Sequence, residues 1–291
     1  MSDKDTKLEW KLTLPPFIWL LLFFLIPACI IFVYAFKPSG LYGNIEPGWS
    51  LNAFISLLNP YYATLIFRTL YLGIATTFIC LSLALPVGYH MAIISKKARA
   101  LLALLVILPF WSSFLIRIFA WKILLHPEGM IKIALVSLHL LNPMDTLLYN
   151  QGAVLLVMVY TYLPFAVFPI FAAASKFNFQ LFEAAMDLGA TRTQAFFKVF
   201  IPGITKGLYT ASVMVFISAV GAYVIPDLIG GINSDMLGNK IAQKIFVDRN
   251  LPQASALSIL LSLVILVPIL ATSRIFNSSD SKFEPEAKTR E

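Results

Sequence analysis

The run GAVLLVMVYTYLPFAVFPIFAA, residues Gly152–Ala173, carries no charged side chain. A hydrocarbon core roughly 30 Å thick takes about 20 mostly apolar residues of helix to cross. A barrel strand would alternate polar and apolar residues, and this run does not. Backbone N–H and C=O groups find no partners in lipid, so the run must be helical. Five more runs read the same way: Leu14–Phe36, Tyr62–Ile94, Leu101–Leu125, Leu208–Ile229 and Ala254–Phe276. The expectation is an all-α polytopic membrane protein with six transmembrane helices.

Composition agrees. Of 291 residues, 59% are hydrophobic and 13% charged, with mean hydropathy +0.81. A soluble domain carries about 25% charged residues. Cys29 and Cys80 both fall inside apolar runs, without metal-ligand or disulfide spacing, and read as small core hydrophobes. No metal site is expected. His90, His126 and His139 have no ligand spacing. The first apolar run is too long for a signal peptide and lacks a cleavage site, so it reads as the first span.

The net charge of +7 invites a nucleic-acid reading, but its distribution points elsewhere. Fourteen basic residues fall before the first span, in the second and fourth loops and in the C-terminal tail; six fall in the other loops. Positive residues concentrate in cytoplasmic loops. Both termini are therefore expected in the cytoplasm, and no nucleic-acid partner is expected. The outer loops include Ile131–Leu141, an apolar run too short to span, read as an interfacial or re-entrant helix.

The fourth loop is the informative one. Asn178 can cap a helix over Phe179–Leu188, whose Leu181, Ala184, Ala185 and Leu188 form one apolar stripe. Glu183 and Asp187 fall on a different, polar face. Gly189 stands where that helix would end with φ > 0. Thr191 and Gln194 have capping-box spacing for a second helix, which Pro202 would end. A folded, amphipathic helical pair of this kind fits a groove on a partner protein. The same pattern also describes a surface helix packed on its own bundle.

The spacing Glu183-Ala184-Ala185, Gly189, Val199-x-Ile201-Pro202 resembles the EAA loop of ATP-binding-cassette (ABC) importer permeases, with Val199 in place of the commoner isoleucine. The resemblance implies the type I ABC importer (MetI-like) permease fold, with residues 62–276 as permease core and 176–204 as coupling loop. Residues 1–61 would be the N-terminal tail, first span and outer loop, and 277–291 a disordered cytoplasmic tail. In that family the loop docks in a cleft of the ATP-binding subunit. Carried over, Glu183 makes polar contacts with the ATPase, Ala184 and Ala185 allow close approach, and Gly189 makes the turn, with Asp187 and Pro202 in the same element. The implied partners are a cytoplasmic ABC ATPase dimer, a second homologous permease, a periplasmic or extracellular solute-binding protein and the lipid bilayer of a bacterial inner (plasma) membrane. The chain has no phosphate-cradling Gly-x-x-x-x-Gly-Lys-Ser/Thr loop. It is therefore expected to be no enzyme and to hold no cofactor, with ATP bound by the partner.

Other segments, Pro109-Phe110-Trp111, Leu115–Ile118, Leu163–Phe165, Asp227–Gly231 and Gly238-Asn239, are similar to the B-type permease of spermidine/putrescine importers. The resemblance implies a polyamine as solute, with another small charged solute as the alternative, since such segments recur in relatives that carry those. A polycation is held by carboxylates and aromatic faces. Asp227, near a helix break after Pro226, is the carboxylate closest to a span, and Trp111, Tyr160, Tyr162 and Tyr223 could line a path. Alternatively, Asp227 caps the fifth span or pairs with Arg68 or Arg117, and the aromatics serve packing or the interface belt. Arg117 fits a structural ion pair or a contact to the docked binding protein. A gradient-driven transporter would place ionisable groups at mid-membrane, and these spans carry almost none in their centres.

Overall fold

The computed structural model describes residues 3–40 and 45–280, with side chains for residues 13–40 and 45–273. Among the described residues, fourteen α-helices run in order: α1 (Asp3–Ala35), α2 (Asn52–Ser56), α3 (Pro60–Ile93), α4 (Lys96–Ile107), α5 (Phe114–Leu124), α6 (Met130–Ser137), α7 (Gln151–Lys176), α8 (Phe179–Asp187), α9 (Arg192–Ala195), α10 (Ile201–Gly203), α11 (Thr205–Val220), α12 (Val224–Ile229), α13 (Leu237–Phe246) and α14 (Leu251–Asp280). Short 3-10 turns at Leu108–Trp111 and Ile232–Ser234, and a π turn at Phe196–Phe200, join some of them. Among the described residues, four helices are long and apolar enough to cross a membrane, and six spans result if each of two bent helix pairs counts as one.

The expected third and fifth spans are the bent ones. Residues 96–111 and 114–124 meet at 90°. Pro109 has no N–H to give to the helix ladder, and Ser112 adopts an extended backbone with ψ 151°. The Ser112 hydroxyl donates to the Pro109 carbonyl at 2.8 Å. The straight part of the fifth span, α11, starts at Thr205, and Pro202 does not end the helix before it. That proline sits inside the short α10, and the chain bends by 74° at Ile204 before α11. It also stops early, at Gly221, so Val224–Ile229 forms a separate helix. The short outer run forms α6 over Met130–Ser137. Of the expected disordered tail, Asn277–Asp280 continue α14, and residues 281–291 lie outside the described residues.

The chain divides into two compact units. The first comprises Met1–Ala63 and Lys240–Val267. Its small core is Ala35, Ala53 and Ala256, ringed by Phe36, Phe54, Leu57 and Ile259. The Gln253 amide donates to the Ser56 hydroxyl at 3.2 Å and the Tyr62 hydroxyl at 2.8 Å, joining α14, α2 and the start of α3. Residues 13–35 of α1 bury none of their apolar span window within the chain, a surface suited to lipid.

The second unit comprises Thr64–Asn239 and Pro268–Glu291. Its centre is α7, started by Asn150, whose side chain accepts the Ala153 N–H at 2.8 Å. Small residues let α11 lie close against α7: Gly207, Ala211, Val215 and Ala219 recur every fourth residue, and all are buried. A Cβ at Gly207 would stand 2.3 Å from the Ala173 Cβ. Close backbone approach of this kind is how apolar helices associate where lipid removes the hydrophobic drive. Cys80 is buried with its thiol toward the Val159 carbonyl at 3.6 Å, whereas Cys29 is exposed.

Candidate functional site

The fourth-loop segment folds as two helices with a tight corner. Asn178 caps α8, its side chain accepting the Gln180 N–H at 3.0 Å. The helix ends in paired bonds from the Ala190 N–H to the Ala185 carbonyl and from the Gly189 N–H to the Met186 carbonyl, at 3.0 and 2.9 Å. That pattern needs a left-handed residue between them, and Gly189 supplies it with φ +89°. After the corner, Thr191 and Gln194 form the expected reciprocal cap of α9.

The apolar stripe of α8 is divided. Phe182 is buried, and Phe179, Ala185 and Met186 pack against the core. Leu181, Ala184 and Leu188 face outward, with Leu188 89% exposed. Glu183 and Asp187 are also exposed, flanking that outer face. Two apolar faces on one short helix serve different purposes: one fixes the helix to its own bundle, and the other stays open beside two carboxylates. Ala185, expected on the open stripe, belongs partly to the anchoring side.

The anchoring side is an aromatic cluster. Phe200 is fully buried, with Phe177 at 5.3 Å and Phe196 at 5.3 Å between ring centroids. Tyr89 of α3 enters the same cluster. No local pattern in the sequence marks Tyr89, which stands between Gly88 and His90 in the second apolar run.

The five expected path residues occupy two environments. Asp227, in the first turn of α12, is exposed, as are Tyr223 just before it and Trp111, which is 76% exposed. Tyr160 packs its ring 5.3 Å from Trp121. Tyr162 is 8% exposed and stacks on Phe165 at 6.2 Å. Residues two apart on a helix point to different sides, so Tyr160 and Tyr162 cannot share one wall.

Neither arginine weighed as a partner turns to Asp227 among the described residues. Arg117 lies over the Phe110 ring at 4.7 Å, with Nε and Nη1 sealed from solvent and lacking hydrogen-bond partners. Phe110 in turn meets Phe165 at 5.7 Å. The cation–π contact replaces the expected ion pair. Arg68 donates to the Asp235 backbone carbonyl at 3.5 Å. Beside it, the Leu237 N–H donates to the Thr69 hydroxyl at 2.9 Å. The Asn239 side chain accepts the Met236 N–H at 2.6 Å and donates to the Asp235 carboxylate at 2.9 Å. These bonds tie the loop after α12 to α3. Among the described residues, no group of three His, Cys, Asp or Glu could hold a metal.

The chain is 33% identical to the spermidine/putrescine transport system permease protein PotB of Haemophilus influenzae, over 93% of this chain and 94% of that protein. It is 31% identical to PotB of Escherichia coli over 92% and 98% of the two chains. The fold resembles that of a bacterial ABC transporter that imports the acidic polysaccharide alginate, with TM-score 0.74 and 20% identity, covering 94% of this chain and 96% of that one. It also resembles the MetNI methionine ABC transporter in inward-facing form, with TM-score 0.57 and 21% identity, covering 76% and 98%. No protein-family model matches the chain.

Proposed function

Because the chain belongs to the PotB family of ABC importer permease subunits, we propose that it moves a polyamine across a bacterial inner membrane, coupled to ATP hydrolysis by partner subunits. On this reading the chain crosses six times, counting α4–α5 and α9–α11 as the two bent spans, so both termini lie on one side of the membrane, which we take as the cytoplasm. The excess of basic residues in the second and fourth loops and at the ends supports that orientation.

One observation supports the coupling role best. The outer face of α8 leaves Leu181, Ala184 and Leu188 uncovered beside Glu183 and Asp187, while its inner face is fixed by Phe179 and Phe182. A helix held rigidly on one side and bare on the other suits the cleft of an ATPase subunit. Glu183 and Asp187 make its polar contacts, Gly189 sets the corner, and Pro202 lies in the turn that hands the motion to α11. ATP is bound by that partner dimer, and this chain holds no cofactor of its own.

Alternating access then follows. A solute-binding protein delivers its cargo to the outer loops. Closure of the ATPase dimer shifts the docking segments of this chain and a second, homologous permease, and the bundle opens outward. Asp227, Trp111 and Tyr223 face the passing cation with charge and aromatic surface, while Tyr160 and Tyr162, on different sides of α7, pack against Trp121 and Phe165 behind it. The relatives' polyamine systems support the substrate. Direct binding tests it: the solute-binding protein of this system should retain spermidine or putrescine, and retention of an unrelated anion instead would remove the polyamine assignment.

A further inference from the structure

We propose that Tyr89 is a positioning residue for coupling, the contact through which movement of the docking segment reaches span α3. This rests on the docking reading of α8. Tyr89 lies near the end of α3, far in sequence from the Phe179–Phe200 segment it meets. Its ring stands 5.0 Å from Phe200, 5.4 Å from Phe196, 5.8 Å from Phe182 and 6.1 Å from Phe179. Those four rings come from both sides of the Gly189 corner: Phe179 and Phe182 from α8, Phe196 and Phe200 from the π turn that leads into α10. One side chain of α3 therefore touches the incoming and the outgoing arm of the docking segment. Three of these contacts are edge-on, with interplanar angles of 60°, 86° and 79° to Phe179, Phe196 and Phe200, and the fourth, to Phe182, is tilted at 40°. Edge-to-face rings resist sliding past one another because the quadrupoles fix their mutual orientation.

The far side of Tyr89 is held just as firmly. A Cβ at Gly88 would stand 2.7 Å from Ile170 Cγ2 and 3.2 Å from the Phe171 backbone nitrogen, so α3 touches α7 backbone to backbone beside Tyr89. Arg99, at the start of α4, folds back over the end of α3. It donates to the Met91 and Ala92 carbonyls at 2.8 and 2.9 Å, and its guanidinium lies 5.7 Å from the Phe171 ring centroid. Those bonds satisfy carbonyls that a helix end leaves open. The end of α3 is thus pinned to α7, and a push on the Tyr89 ring is passed to both spans instead of being absorbed by local unwinding. Interlocked packing of this kind carries displacement because it does not deform continuously.

The test uses the complete transporter in proteoliposomes: this chain, its second permease, the ATPase subunits and the solute-binding protein, with labelled spermidine as cargo. Tyr89→Leu and Tyr89→Ala are compared with Tyr89→Phe and with Leu188→Asp on the outer face of α8. For Tyr89→Leu, the ATPase subunits should stay bound, while spermidine moved per ATP hydrolysed falls about tenfold, within the usual range of coupling between sites. Tyr89→Phe keeps the ring and should restore the wild-type ratio. Leu188→Asp should lose the ATPase subunits. An unchanged ratio in Tyr89→Leu and Tyr89→Ala overturns the proposal, as does loss of the ATPase subunits in Tyr89→Leu, which would make the ring a folding element only. Retention of the ATPase subunits by Leu188→Asp would instead count against the docking reading, independently of Tyr89.

Discussion

Thr191 and Gln194 hold each other across one helical turn. The Gln194 N–H donates to the Thr191 hydroxyl at 3.2 Å, and the Thr191 N–H donates to the Gln194 side-chain carbonyl at 3.0 Å. Two donors that the start of a helix leaves open are satisfied together. Thr191→Ala should therefore loosen α9 by about 1 kcal/mol. Hydrogen exchange of the amides at 192–195 should speed up roughly fivefold, as 1 kcal/mol implies, with α7 unchanged. Equal exchange in variant and parent would show that the corner is held by other contacts.

Gly189 makes the corner that Thr191 follows. Its φ of +89° lies where a side chain costs about 1–2 kcal/mol. A Cβ there would meet open space, so the cost is backbone strain and not a clash. Gly189→Val should leave the spans folded and solute binding by the external protein intact while transport falls. Normal uptake in this variant would remove the corner from the coupling path.

Gly207 carries a different constraint. Its missing Cβ is what lets α11 touch α7 at Ala173. Gly207→Leu should separate the two helices, and overpacking of this sort costs about 1–3 kcal/mol or more. Thermal unfolding of the purified chain in detergent should occur at lower temperature, with less protein recovered from the membrane. An unchanged midpoint would contradict the close packing described above.

Asp227 is exposed and bonded to neither arginine, so its charge is open to a cation. Asp227→Asn keeps the shape and removes the charge. The concentration of spermidine giving half-maximal uptake should rise severalfold, by about the 1 kcal/mol expected of one partly solvated charge contact. Unchanged half-saturation and rate would assign Asp227 to helix termination alone.

The residues differ in how openly they announced these roles. Span α7 was legible almost to its ends because apolar length and Asn150 are local signals, and helix Gln151–Lys176 brackets the run 152–173. The Asn178 cap, the Gly189 corner and the Thr191–Gln194 box were legible for the same reason. The break at Pro109 was not, since hydropathy stays high through Phe110 and Trp111 and does not register a missing N–H. The early end of α11 was hidden likewise by apolar Ala222 and Tyr223. Spacing alone makes Leu181, Ala184, Ala185 and Leu188 one face of α8, and only the packing of Ala185 on the core separates it from the exposed Leu181 and Leu188. Tyr89 and the Thr69–Leu237 bond pair residues far apart in sequence, which no local pattern records.

The central claim is that this chain passes a polyamine only when partner ATPases drive it. Uptake of labelled spermidine into proteoliposomes holding the full transporter measures this directly. The account predicts uptake that requires ATP and the solute-binding protein, stops when the ATPase subunits are omitted, and is indifferent to a protonophore. Uptake that persists without the ATPase subunits and collapses when the proton gradient is discharged would contradict it.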